Sequence, residues 1–259
     1  MRRPTLISPD RPHMVCVDVS PYCELARWTL DHLGVTYTQE NHVPVLHAVA
    51  ARRYGGGIVV PVLNLGKGHA SLTDARQVVD YYGLRAPESE RLFPADPDEH
   101  AQARQLFDEL FDRLGVAVRA WAYAYMLPVR ASTVRAWIDG APRLQRAVTP
   151  IAYPLLRFAV GRNLGLGPDS IPRERAIIDE LLTTLQARLS DRRYLLGDRL
   201  TAPDLALAAL LAPAVLPPEY RGPLPAIDEL PAAMRREVEQ YRAHPVGRFA
   251  LRLFAEQRG

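Results

Sequence analysis

Hydrophobic and polar positions follow two periods in the first third of the chain and settle into one afterwards. Met14 to Val19 (MVCVDV) is short, apolar and β-branched, the pattern of a buried strand. Glu24 to Leu33 (ELARWTLDHL) then puts Leu25, Trp28, Thr29 and Leu33 on one helical face, with Gly34 as a stop. The same alternation predicts a strand at 35–40, a helix at 44–54, a strand from Pro61 to Leu65, a short strand at 69–72 and a helix from Asp74 to Tyr82. Gly55-Gly56-Gly57 ends the second helix and frees the chain to turn. From residue 98 on, the helical period dominates, predicting helices at 98–126, 130–160, 171–190, 203–214, 231–243 and 246–256.

The pattern divides the chain into a loose leader (1–13), a small α/β unit (14–83), a proline- and acid-rich linker (84–97) and an all-helical unit (98–259). With 48% hydrophobic and 24% charged residues, the composition is that of a globular protein. The net charge of +3 comes mostly from arginines scattered along helices, without a basic tract, so no nucleic-acid partner is expected. No apolar run is long enough to span a bilayer and no signal pattern precedes the first strand; a cytoplasmic protein without a membrane partner is expected. The two cysteines, Cys16 and Cys23, make neither a disulfide framework nor a metal cluster, so no metal is expected.

Candidate chemistry begins at Ser20-Pro21-Tyr22-Cys23, where the first strand meets the first helix. Unpaired backbone N–H groups and the helix dipole favour negative charge there, which suits a thiolate. A second feature is Thr201 with Asp204 three residues on, a capping-box spacing ahead of the apolar run LALAALLAPAVL. Pro203 fits the first turn, and the helix reads as the buried centre of the helical unit.

Four segments together are similar to the glutathione S-transferase family. Ser20-Pro21-Tyr22-Cys23 resembles the active-site turn of thioredoxin-like folds, with serine where a redox pair has its first cysteine. Val60-Pro61-Val62-Leu63 resembles the element in which a proline follows a cis peptide bond. Leu72 to Val78 (LTDARQV) resembles the segment that receives the γ-glutamyl group, and Tyr194 to Asp204 (YLLGDRLTAPD) resembles the capping element of the helical domain. The resemblance implies a thioredoxin-like domain followed by an α-helical bundle, a homodimer, and glutathione as cosubstrate with a small hydrophobic electrophile.

It also implies roles. Ser20 would activate the sulfur, Val60 would pair with the peptide backbone of glutathione beside Pro61, and Asp74, Ala75 and Arg76 would hold its γ-glutamyl end. Tyr22 and Cys23 would border the bound thiol. The chain departs from the family pattern at Ala75, where serine is usual, and at Val59, where lysine is common; Arg52, Arg53, His47 or Lys67 could substitute for that lysine. Phe111, Trp121 and Tyr125 are candidates for the electrophile pocket, and residues 126–170 could cover the site or contact another subunit.

Simpler readings stand beside these. Ser20 and Asp74 can be plain helix caps, Pro61 an ordinary trans proline, and Cys16 and Cys23 core residues. The function implied is thiol transfer, in the manner of detoxifying enzymes. The alternatives are a non-catalytic binding protein on the same fold and a glutathione-dependent lyase, isomerase or reductase.

Overall fold

The computed structural model describes residues 11–189 and 192–258; the rest of the predicted leader, residues 1–10, lies outside them. The first strand, β1 (His13–Cys16), sits centrally in a three-stranded sheet of order β2-β1-β3. It pairs in parallel with β2 (Thr38–Asn41) and antiparallel with β3 (Val62–Asn64). His13, assigned to the leader from its sequence, opens this strand. The strand ends at Cys16, short of the predicted Val19, because the Ser20 N–H turns back to the Val17 carbonyl at 2.9 Å. The expected strand at 69–72 reduces to one bridge, Leu63 to Leu72, closed by hydrogen bonds of 2.7 and 2.9 Å.

Helices α1 (Pro21–His32), α2 (His47–Arg52) and α3 (Ala75–Gly83) complete the α/β unit. The predicted linker is packed rather than loose. Leu92 and Phe93 are fully buried, the Ala202 N–H donates to the Leu92 carbonyl at 2.7 Å, and Arg199 donates to the carbonyls of Glu88 and Arg91. Pro87, Glu88, Asp96 and Pro97 occupy its exposed positions, while Pro94 is buried with Leu92 and Phe93.

The helical unit holds α4 (Pro97–Glu109), α5 (Gly115–Met126), α6 (Arg130–Ile138), α7 (Arg143–Asn163), α8 (Ser170–Leu189), α9 (Ala202–Val215), α10 (Ala232–Ala243) and α11 (Pro245–Gln257). Two predicted helices are divided. A π-helical turn, Leu110–Leu114, separates α4 from α5, and a turn with Gly140 at φ +62° separates α6 from α7. Every residue of α9 is buried, and this helix packs against α1, α5, α10 and α11. Asp204 caps it as the sequence predicts, accepting from the N–H and hydroxyl of Thr201 and from the Leu195 N–H at 2.7–2.8 Å. Burial pushes its carboxyl up to about 6, opposed by those three donors. One core runs through both units, from Met14 and Trp28 to Phe254.

Candidate functional site

Three backbone features meet at one end of the sheet. Ser20 follows the carboxyl end of β1 and caps α1, its Oγ accepting a long 3.5 Å hydrogen bond from the Cys23 N–H. The Val60–Pro61 peptide is cis. The antiparallel register ends at Val15 with Val62, so the cis peptide immediately precedes β3 at the end of the sheet where the chain leaves β1. The Leu63–Leu72 bridge sets the segment before α3 alongside β3, with Asp74 two residues beyond it. Asp74 caps α3 in extended backbone, and its carboxylate accepts from the Gln77 N–H at 2.7 Å. Gln77 answers by accepting from the Thr73 N–H at 2.9 Å.

This arrangement suits a thiol-bearing peptide. A serine cap that accepts one weak N–H bond still carries a proton to donate, and here its hydroxyl also hydrogen-bonds the buried Cys23 thiol. A second helix N-terminus with a carboxylate beside it offers N–H donors to an anion and an acceptor to an ammonium group. Val60, half-buried before the cis proline, presents its backbone to an extended ligand in the manner of strand addition.

Other expected site residues lie elsewhere. Tyr22 is buried, and its hydroxyl donates to the Phe111 carbonyl at 3.0 Å, in the π turn where the regular helix bonds are interrupted. Cys23 is wholly buried in the core, as is Cys16, whose thiol burial pushes up. Neither side chain borders an open site. The Arg76 guanidinium is held by Asp108 at 2.6 Å and Asp112 at 2.5 Å, and it covers the Phe111 ring at 4.6 Å. Its charge joins the two units and is not free for a carboxylate.

His47 is also committed. Its Nε2–H donates to the Ile58 carbonyl at 3.0 Å, and burial pulls its pKa below the ordinary histidine value. Arg52, Arg53 and Lys67 are exposed, as is Val59.

On the helical side, Trp121 and Tyr125 turn away from the α/β unit. Both donate to Glu237 on α10, at 2.6 and 3.0 Å, and that carboxylate also meets Arg175. Phe111 lies edge-on to Tyr22 at 4.9 Å within the interface. The face of α5 that meets the Ser20 turn instead carries Gly115, Arg119 and Tyr123. A Cβ at Gly115 would collide with the Tyr22 hydroxyl. The Arg119 guanidinium lies 5.1 Å from the Tyr22 ring, and its buried Nε has no hydrogen-bond partner. Burial raises the Tyr123 phenol.

The 126–170 segment forms a helical hairpin, α6–α7, that leans on the α/β unit. Gln145 accepts from the Val43 N–H and donates to His42 Nδ1, both at 2.9 Å. Val19, Val43 and Leu46 pack with Trp137, Tyr153 and Tyr123 in a separate apolar cluster. The hairpin is therefore the wall beside the Ser20 turn. Two open clefts lie away from the turn. A cavity of about 530 Å³ opens between residues 94–102 and 196–201, and another of about 360 Å³ is lined by Asp31, Tyr37 and Arg221.

A buried charge network fixes the turn from behind, and no motif announced it. Arg27 binds Asp18 at 2.7 Å and Glu24 at 2.9 Å, and donates to the Asp18 carbonyl. Arg258, after α11, binds Glu24 at 2.8 Å and also Asp31. Tyr220 donates to the Val19 carbonyl at 3.1 Å.

Comparison with known proteins decides the lineage. A glutathione S-transferase N-terminal domain model matches residues 15–90, and a C-terminal domain model matches residues 168–236; together they cover more than half of the chain. The chain belongs to the glutathione S-transferase family. Its thioredoxin-like unit is followed by the helical unit of that family, and the α6–α7 hairpin falls in the interval that neither domain model covers.

Among solved structures, the chain is similar to a glutathione S-transferase of Methylobacterium radiotolerans in complex with glutathione sulfonate. That match has 20% identity and a TM-score of 0.56, covering 96% of this chain and 95% of the other. A transferase of Methylobacillus flagellatus with glutathione bound matches at 18% identity and TM-score 0.54, over 92% and 98%. A delta-class transferase of Nilaparvata lugens matches at 16% and 0.54, over 96% and 90%. These identities establish a shared fold. No curated protein matches the chain.

Proposed function

We propose that this protein is a glutathione-dependent transferase that activates a thiol at Ser20 and passes it to a small hydrophobic electrophile. The observation that carries the reading is the convergence of the Ser20 cap, the cis Val60–Pro61 peptide and the Asp74 cap at one end of the sheet. Glutathione would lie against Val60. Its γ-glutamyl ammonium would meet Asp74, and its γ-glutamyl carboxylate the N–H groups opening α3. The Ser20 hydroxyl would donate to the sulfur. A hydrogen bond to a charged group is worth about 1.5–3 kcal/mol, which lowers a thiol pKa by about one to two units. The thiol proton leaves to solvent, and the thiolate attacks an electrophilic carbon to form the thioether. The group displaced from that carbon, a halide in an aryl halide, departs with the electron pair of its broken bond. Two solved relatives with glutathione or its sulfonate bound support the choice of thiol. As in the family, the working unit would be a homodimer and the role detoxifying.

A second reading, a binding protein without turnover, draws on two observations. Ala75 lacks the usual hydroxyl, and Arg76 is spent on Asp108 and Asp112. Retention on a glutathione column combined with an aryl-halide conjugation assay separates the two. The transferase reading expects retention and turnover, with turnover collapsing in Ser20→Ala. Retention with turnover absent in the unaltered protein supports the binding reading, and absence of both refutes the glutathione site.

A further inference from the structure

Helix α7 carries an apolar stripe that nothing in the fold covers. Leu144, Val148, Ile151, Leu155 and Phe158 recur at spacings of four and three, and Leu144, Ile151 and Leu155 are 74%, 85% and 70% exposed. The stripe runs about 21 Å along the helix at 1.5 Å per residue. The opposite face, Thr149, Tyr153, Leu156 and Val160, is buried, and the Tyr153 hydroxyl holds the Leu127 carbonyl at 2.7 Å. The helix is thus fixed in place before it meets any partner.

Its charge is one-sided. Arg143, Arg146, Arg157 and Arg162 are exposed, and the helix contains no aspartate or glutamate. At 100° per residue, Arg162 continues the line of the stripe and Arg143 lies beside it, whereas Arg146 and Arg157 fall behind, toward the packed face. A second copy of this helix would bring only further arginines to that face and no carboxylate to neutralise them. An anionic surface meets both demands at once, because it takes the apolar side chains and neutralises the arginines. We infer that α7 is a peripheral docking face for anionic lipid bilayers, which it would meet lying in the interface plane. The sequence predicts no membrane partner because no run is long enough to span one. No helix among the described residues is long and apolar enough to cross a membrane either, and an interfacial helix has no need to be.

The test is co-sedimentation of the full chain with vesicles of phosphatidylcholine alone or doped with phosphatidylglycerol. The expected result is pelleting with the anionic vesicles only, weakened by added salt and abolished in Ile151→Glu/Leu155→Glu. A second variant, Arg143→Gln/Arg162→Gln, should weaken partitioning about twenty-five-fold, at about fivefold per arginine. All four positions are exposed, so thermal midpoints should stay near that of the unaltered protein. Equal pelleting on neutral vesicles, or none on either, overturns the inference. A concentration-dependent dimer that the glutamate pair dissolves assigns the stripe to a second copy and overturns it too.

Discussion

The two walls of the candidate site are built by different means. The thiol side rests on local backbone devices: a serine cap, a cis proline and an aspartate cap, each set by a few consecutive residues. The proposed electrophile side is one face of α5 together with the α6–α7 hairpin, and both depend on how distant helices pack. Local devices need only a few consecutive residues, so they tolerate divergence in the rest of a chain. Packed faces do not carry over in that way, so the second substrate must be read from this molecule alone.

The largest effect on the thiol side should come from behind it. Arg27→Ala strips Asp18 of its guanidinium and leaves buried Glu24 with Arg258 alone, which should cost about 3–5 kcal/mol in denaturant unfolding. A loss under 1 kcal/mol would mean that the network does not hold the turn. On the electrophile side, Arg119→Ala should raise the KM for an anionic or aromatic electrophile several-fold, in line with about 0.5–2 kcal/mol for a cation beside a ring. Tyr125→Phe should leave that KM unchanged, since its hydroxyl serves Glu237. The reverse ranking would restore the pocket expected from the sequence.

Acid should loosen the segment leading to the cis proline. The His47 pKa is lowered in the fold, burial being the main cause, so the unfolded chain takes up a proton first as the pH falls. This contribution to stability is complete above about 6.5 and is lost below it, as the pH drops through the folded value. His47→Gln should flatten the dependence of thermal midpoint on pH in that window. Smallest of all, Arg76→Gln should cost under about 1 kcal/mol, the range of partly exposed ion pairs, and leave the KM for glutathione within about twofold. A large rise in that KM would return Arg76 to the thiol site.

Much of the fold was legible because its signals are local. The Asp204 cap, the Ser20 junction and the apolar α9 each sit in a short window with its own chemistry. The electrophile wall was hidden by the π turn at Leu110–Leu114. In an unbroken α-helix Phe107, Phe111, Trp121 and Tyr125 would share one face, since their spacings return near the same angle. Five residues wound more slowly rotate the second half by roughly a quarter turn. Trp121 and Tyr125 swing toward α10, while Arg119 and Tyr123 take their place. For Tyr22, Cys23 and Arg76 the difference has another origin. A motif fixes where a residue stands along the chain, but burial and ion pairing across the interface decide what it faces. The Arg27–Arg258 network joins residues more than 200 positions apart and has no linear signature.

The most direct test of the thiol wall is the titration of bound glutathione, followed by thiolate absorbance in the unaltered protein and in Ser20→Ala. The account predicts a thiol pKa about one to two units below that of free glutathione, returning toward the free value in the variant while binding persists. An equally low pKa in Ser20→Ala, or an unshifted one in the unaltered protein, would contradict it.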